Sequence, residues 1–138
     1  MGRPSKPRTP RRRPMELVLC HKKYWDFIYT LRHQLKDGFI DQDDFSPKDH
    51  IRFMKKNHKE YMVCLDEEKP IGFIGSINGD IRVAVSHASQ KKGVGKFMVK
   101  SLLTKNSNVY AKVKIENEAS LRLFSSCGFT KKYYILEP

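Results

Sequence analysis

Gln90-Lys91-Lys92-Gly93-Val94-Gly95-Lys96-Phe97 is the stretch whose reading decides this chain. A β-branched run (Ile81, Val83, Val85) leads into it. Val94, Phe97, Met98 and Leu102 lead out at three- and four-residue spacings, the pattern of one helix face. It is therefore a strand–loop–helix junction with glycines where the helix begins. A helix N-terminus carries unpaired backbone N–H groups and a partial positive charge, which suit it to an anion such as a phosphate. Gly93 and Gly95 lack a Cβ, so a bulky ligand could approach the backbone. Lys91, Lys92 and Lys96 add formal charge at the same spot. Short glycine motifs also arise by chance, and these residues alone fit an ordinary turn on a basic surface equally well.

Working outward, 138 residues with 39% hydrophobic and 11% aromatic content predict one domain with a real core. No apolar run approaches the roughly 18 to 20 residues a membrane span needs, so no membrane association is expected. Residues 1–14 are nearly devoid of apolar side chains and do not resemble a secretory signal. Cys20, Cys64 and Cys127 are an odd, scattered set without metal-ligand spacing. They predict no metal and a reducing, intracellular setting, most simply the cytoplasm.

The net charge of +12 is unevenly placed. Residues 1–14 hold six basic side chains (Arg3, Lys6, Arg8, Arg11, Arg12, Arg13) and no acid; without them, 21 basic residues stand against 15 acidic, or +6. Four of the seven prolines, at 4, 7, 10 and 14, lie in the same stretch. They block helix and sheet pairing, so residues 1–14 read as an extended basic tail, disordered alone. Gly2-Arg3-Pro4 resembles the centre of an AT-hook without its flanking pattern. A sequence-indifferent contact with RNA or DNA is the simpler expectation.

Residues 15–138 read as the folded domain. Glu16–Cys20 is a short strand, and His21–Leu35 an amphipathic helix ended by Gly38. Gly38–Phe45 is a loop with the acids Asp41, Asp43 and Asp44. Ser46-Pro47-Lys48-Asp49 opens a second helix with an N-cap, a first-turn proline and an acid. Tyr61–Leu65, Pro70–Ile77 and Asp80–Ser86 are strands, the last two joined at Asn78-Gly79. Val94–Lys105 is a helix. Val109, Ala111, Val113 and Ile115 alternate with polar residues as a fifth strand. Asn117 caps a last helix closed by Gly128, and Phe129–Leu136 is a final strand. The order predicts an α/β sheet with helices on both faces.

Two motifs on this element order resemble the GNAT N-acyltransferases over residues 16–136. Gln90–Gly95 is similar to that family's acyl-CoA loop (Q/R-x-x-G-x-G/A). Asn117-Glu118-Ala119-Ser120-Leu121-Arg122-Leu123-Phe124, closed by Cys127-Gly128-Phe129, is similar to its second CoA-side motif. The resemblance implies a mixed, mostly antiparallel sheet with a splay between the fourth and fifth strands. It implies acetyl-CoA as cosubstrate, with Gln90 among the residues that bind it and its pyrophosphate on the N–H groups of Lys91, Lys92, Gly93, Val94, Gly95 and Lys96. The pantetheine arm would run along Val83 and Val85, with Asn117 and Phe124 beside it. An amine would attack the thioester directly, with a backbone N–H near Val85 polarising the carbonyl.

The chemistry also asks for a base and an acid. Asp80 lies near the position of the family's glutamate, and His87 flanks the same strand; each also fits a plain turn or loop residue. Many members have a tyrosine acid where Phe124 stands, so water, Ser125 or an unprotonated thiolate would substitute. For the acceptor, the resemblance points to amino sugars on nucleotide carriers or to protein amines. The acidic loop could line that side, or could be merely solvated. Two other readings remain open: a GNAT-like structural component of a ribonucleoprotein, and an acyltransferase acting on nucleic acid.

Removing residues 1–14 is expected to weaken RNA or DNA binding and to shallow its salt dependence. Each lost phosphate contact should reduce the slope of log K against log salt by roughly 0.7 to 0.9. Acetyl-CoA affinity should not change. Filter binding across a salt series checks this, and an unchanged slope would refute the tail's role.

Overall fold

Pairing of apolar strands builds the frame on which the junction sits. The computed structural model describes residues 14–35 and 46–138. The expected tail up to Arg13, and the loop Gly38–Phe45 with its three acids, lie outside the described residues. Four strands, β1 (Glu16–Leu19), β2 (Tyr61–Asp66), β3 (Lys69–Ile77) and β4 (Asp80–Val85), form an antiparallel sheet in the order β1-β2-β3-β4. The helices are α1 (Trp25–Gln34), α2 (Pro47–Asn57), α3 (Val94–Lys105) and α4 (Glu118–Ser126).

Both turns within the β2–β4 meander use left-handed residues. Asn78 and Gly79 have φ of 52° and 84°, and Glu67 and Glu68 have φ of 50° and 69°. Two positive-φ residues twist a two-residue hairpin to match its strands. Asn-Gly does this at low steric cost, whereas the turn expected at Asp66–Lys69 forms through Glu67 and Glu68 without a glycine. At α2, the Ser46 hydroxyl accepts from the Asp49 amide and the Asp49 carboxylate accepts from the Ser46 amide, both at 3.2 Å. This closes the expected capping box, and the Ser46 hydrogen bonds hold the Asp49 carboxyl below the usual carboxylate range.

The sheet is apolar on both faces. Tyr61, Val63, Leu65, Phe73 and Ala84 pack with Trp25, Ile28, Leu31 and Met54 of α1 and α2. Cys64, Ile71, Ile74 and Ile81 pack with Val94, Met98, Val99 and Leu102 of α3 and Phe124 of α4. In the ladder, Cys64 faces Gly72 while Leu65 faces Pro70, so Ile71 is an extra residue in β3. This bulge lets Ile71 share the α3 face with Ile74. Close packing also dictates two glycines. A Cβ on Gly72 would lie 2.8 Å from the Ala84 carbonyl oxygen and 2.9 Å from the Met98 Cε, and one on Gly75 would lie 2.5 Å from the Tyr61 ring.

The last third of the chain departs from expectation. Val109–Ile115 was expected as a strand, but it pairs with the sheet at one residue, a parallel bridge between Tyr110 and Asp80. Its apolar face does pack inward through Val109, Ala111 and Val113, whereas Ile115 is 81% exposed. Phe129–Leu136 does not form the expected strand. Phe129 is tied to α4 by its amide on the Phe124 carbonyl at 3.0 Å and by its ring, 5.1 Å from that of Phe124. Beyond it, Tyr133, Tyr134, Ile135 and Leu136 are exposed and have no strand partner among the described residues. A β-prone run becomes a strand only where an edge accepts it.

Two predictions follow from the packing. Gly75→Ala should destabilise the fold by about 1–3 kcal/mol, because the Tyr61 ring has no room to retreat; denaturant unfolding measures this. His50, buried on α2 with Nε2 donating to the Trp25 carbonyl at 2.7 Å, has its pKa lowered from 6.5, chiefly by burial. Well above pH 6.5 it is neutral in both states. Below that, the unfolded chain takes up a proton that the folded chain resists, so this stability is lost as pH falls. The decline in Tm from pH 7.5 to 5 should therefore be shallower in His50→Gln than in the parent.

Candidate acyl-CoA site

The order of hydrogen bonds along β4 opens a cleft beside it. The Ile81 amide donates to the Tyr110 carbonyl at 2.9 Å, and the Tyr110 amide donates to the Gly79 carbonyl at 2.8 Å. Successive backbone groups in a strand point to alternate sides, so the amides of Val83 and Val85 point the same way as that of Ile81. The even-numbered residues face β3, as the Ser86 amide on the Ile71 carbonyl (2.8 Å) confirms. Past Tyr110 the fifth segment leaves β4. The Val83 and Val85 amides then open into the splay with no partner among the described residues. The Val85 carbonyl is taken by the side chain of Gln90, whose Nε2 donates to it at 3.0 Å. Gln90 thus ties the loop to the strand end.

The splay's outer end is the junction. A short 3-10 turn (His87–Ser89) follows β4. Lys91 and Gly93 then take φ of 62° and 82°, and α3 starts at Val94. The amides of Lys91 to Lys96 have no acceptor among the described residues, because the first α3 bond here is from Phe97 to the Gly93 carbonyl, 3.0 Å. Consecutive amides in such a turn form a concave anion site. Lys91, Lys92 and Lys96 are exposed around it, with no acidic partner among the described residues.

The two glycines are there for different reasons. A Cβ on Gly93 would meet nothing within 4 Å, but its φ of 82° disfavours a side chain. A Cβ on Gly95 would lie 3.1 Å from Leu123 of α4. Gly93 leaves its outer side open, while Gly95 lets α4 pack against the first turn of α3. The Leu123 contact and the Gln90 tether were not anticipated from the sequence, since both depend on tertiary placement.

The candidate catalytic residues are dispersed. Asp80 and Val85 bound β4, so roughly 17 Å of strand separates them. The Asp80 side chain is 11% exposed, and its Oδ2 lies 3.4 Å from Lys112 Nζ and 3.7 Å from an Arg82 nitrogen. His87 is exposed just beyond the other end of β4. Asn117 caps α4, its Oδ1 accepting from the Ser120 amide at 3.1 Å. Phe124 is buried against Phe129, and the neighbouring Ser125 is exposed, about 100° around the helix. Ser125 is therefore not on the face that Phe124 presents to the core.

Solved structures share this architecture. An aminoglycoside N-acetyltransferase in complex with CoA superposes with a TM-score of 0.72 at 17% identity, over 94% of this chain and 97% of its own. A spermidine N-acetyltransferase from Vibrio cholerae, in complex with CoA and spermine, gives 0.74 at 19% identity, over 90% and 85%. A transcriptional regulator from Bacillus halodurans gives 0.72 at 14% identity, over 91% and 99%. No curated protein matches the chain in sequence. The sequence model of the acetyltransferase (GNAT) family matches residues 25–129, which hold α1, the sheet from β2 to β4, the amide-lined loop and α4, and the chain belongs to that family.

Proposed function

We propose that this acetyltransferase moves an acetyl group from acetyl-CoA to a primary amine by direct attack, and that the splay beside β4 holds the cosubstrate. One observation carries the reading: the unpartnered amides of Val83 and Val85 line a cleft that ends at the unpartnered amides of Lys91 to Lys96. Acetyl-CoA supplies an activated thioester carbonyl, an extended amide-bearing arm and a pyrophosphate. Each has a counterpart here. The Lys91–Lys96 amides and three lysines suit the pyrophosphate. The Val83 amide suits the arm as an added strand would. The Val85 amide is the donor for the thioester oxygen.

Direct attack is in keeping with two of the three cysteines being buried. Burial pushes the thiols of Cys20 and Cys64 up to about 11, so neither is a thiolate near neutral pH. Phe124 cannot donate a proton to the departing thiolate, and the exposed Ser125 does not share its face, which leaves water as the donor or a thiolate released unprotonated. The acceptor class rests on the family alone. Two structural neighbours act on amines, an aminoglycoside and spermidine, and the small-molecule or protein amine read from the sequence is kept as the acceptor.

Calorimetry with CoA tests the loop. Gly93→Glu should weaken binding at least tenfold, roughly 1.4 kcal/mol, by putting a carboxylate where the pyrophosphate lies. Gly93→Asn, which tolerates a positive φ, should retain it. Val85→Pro deletes the outward amide without breaking the ladder to β3. It should lower kcat by about 10²–10³, as loss of one oxyanion donor does. Parent-like CoA affinity in the Gly93→Glu protein would sink the assignment.

A further inference from the structure

We propose that Asp80 and Lys112 act together as a strut that sets how far the fifth segment stands off β4, making Asp80 a positioning residue and not the general base. The inference rests on the splay being the acetyl-CoA cleft. Alternation along β4 turns Asp80, Arg82 and Ala84 toward α1 and α2, since Ala84 belongs to that core and Ile81 to the other. On the fifth segment, Val109, Ala111 and Val113 pack toward α3 and α4. Lys112 therefore projects from the opposite face, the one Asp80 occupies.

The two meet across the splay. Backbone pairing ends at Tyr110, and two residues later Lys112 Nζ reaches back to within 3.4 Å of Asp80 Oδ2. Arg82 lies 3.7 Å from the same oxygen, so the carboxylate is held between a cation on each side of the opening. Apolar contacts anchor the segment on one face, and this ion pair anchors it on the other. A carboxylate so engaged, and roughly 17 Å of strand from the Val85 amide, is poorly placed to take a proton from an amine attacking there. Its position suits control of the cleft's width.

The test compares the parent with Asp80→Asn, Lys112→Met and the double variant. NMR hydrogen exchange should show reduced protection of the Ile81 and Tyr110 amides in each single variant. The Kd for CoA should rise about three- to tenfold in each, and the double variant should rise by less than the product of the two, because both singles remove the Asp80–Lys112 pair. The pH profile of kcat should keep its shape, and Lys112→Arg should restore affinity. A loss of more than about 10² in kcat in Asp80→Asn alone, with one limb of the pH profile gone, would make Asp80 the base and overturn the proposal. Unchanged exchange at Ile81 and Tyr110 would overturn it too. If the parent does not bind CoA, the cosubstrate reading fails, and the exchange measurement still decides the strut.

Discussion

Tyr110 makes two hydrogen bonds to the edge of β4, one to the Gly79 carbonyl and one from the Ile81 amide. They are the backbone link between the antiparallel sheet and the fifth segment, and they come at the very start of that segment. A longer ladder would have consumed the Val83 and Val85 amides, and no ladder would have left the segment unplaced. One bridge holds it close at the foot and lets it diverge above. An apolar sheet edge thereby becomes a cleft lined with donors.

The candidate anion site at the other end depends on a similar economy of pairing. Lys91 and Gly93 in left-handed conformations carry the chain round so that α3 begins with its amides facing out. Gln90 fixes the loop to the strand through the Val85 carbonyl. Leu123 occupies the space that a Cβ on Gly95 would need, so α4 buttresses the first turn of α3. A loop placed by side-chain contacts on both sides can present its amides without reorganising on binding, which favours affinity.

The rest of the fold supplies rigidity. Both faces of the sheet are covered, and its central residues on β3 are buried almost throughout. Gly72 and Gly75 are required because Met98 and Tyr61 fill the space their side chains would need. Burial keeps the thiols of Cys20 and Cys64 in the neutral form near neutral pH.

Local signals determined much of this from the sequence alone. The α3 boundaries, the Asn78-Gly79 hairpin, the Ser46 capping box and the Asn117 cap each rest on residues within a few positions of one another. The acyl-CoA loop and the α4 motif carried the family in the same way. What tertiary structure decided involves partners far apart in the chain. The fifth strand is a single bridge because pairing depends on where β4 and α3 hold the segment, and its alternation of apolar and polar residues was the same either way. The Tyr-Tyr-Ile-Leu run has the composition of a strand, yet it finds no partner edge among the described residues. Asp80 illustrates the difference most plainly. Its place beside the hairpin was readable locally, whereas its ion pair with Lys112, 32 residues later in the chain, exists only in the folded arrangement of the two segments.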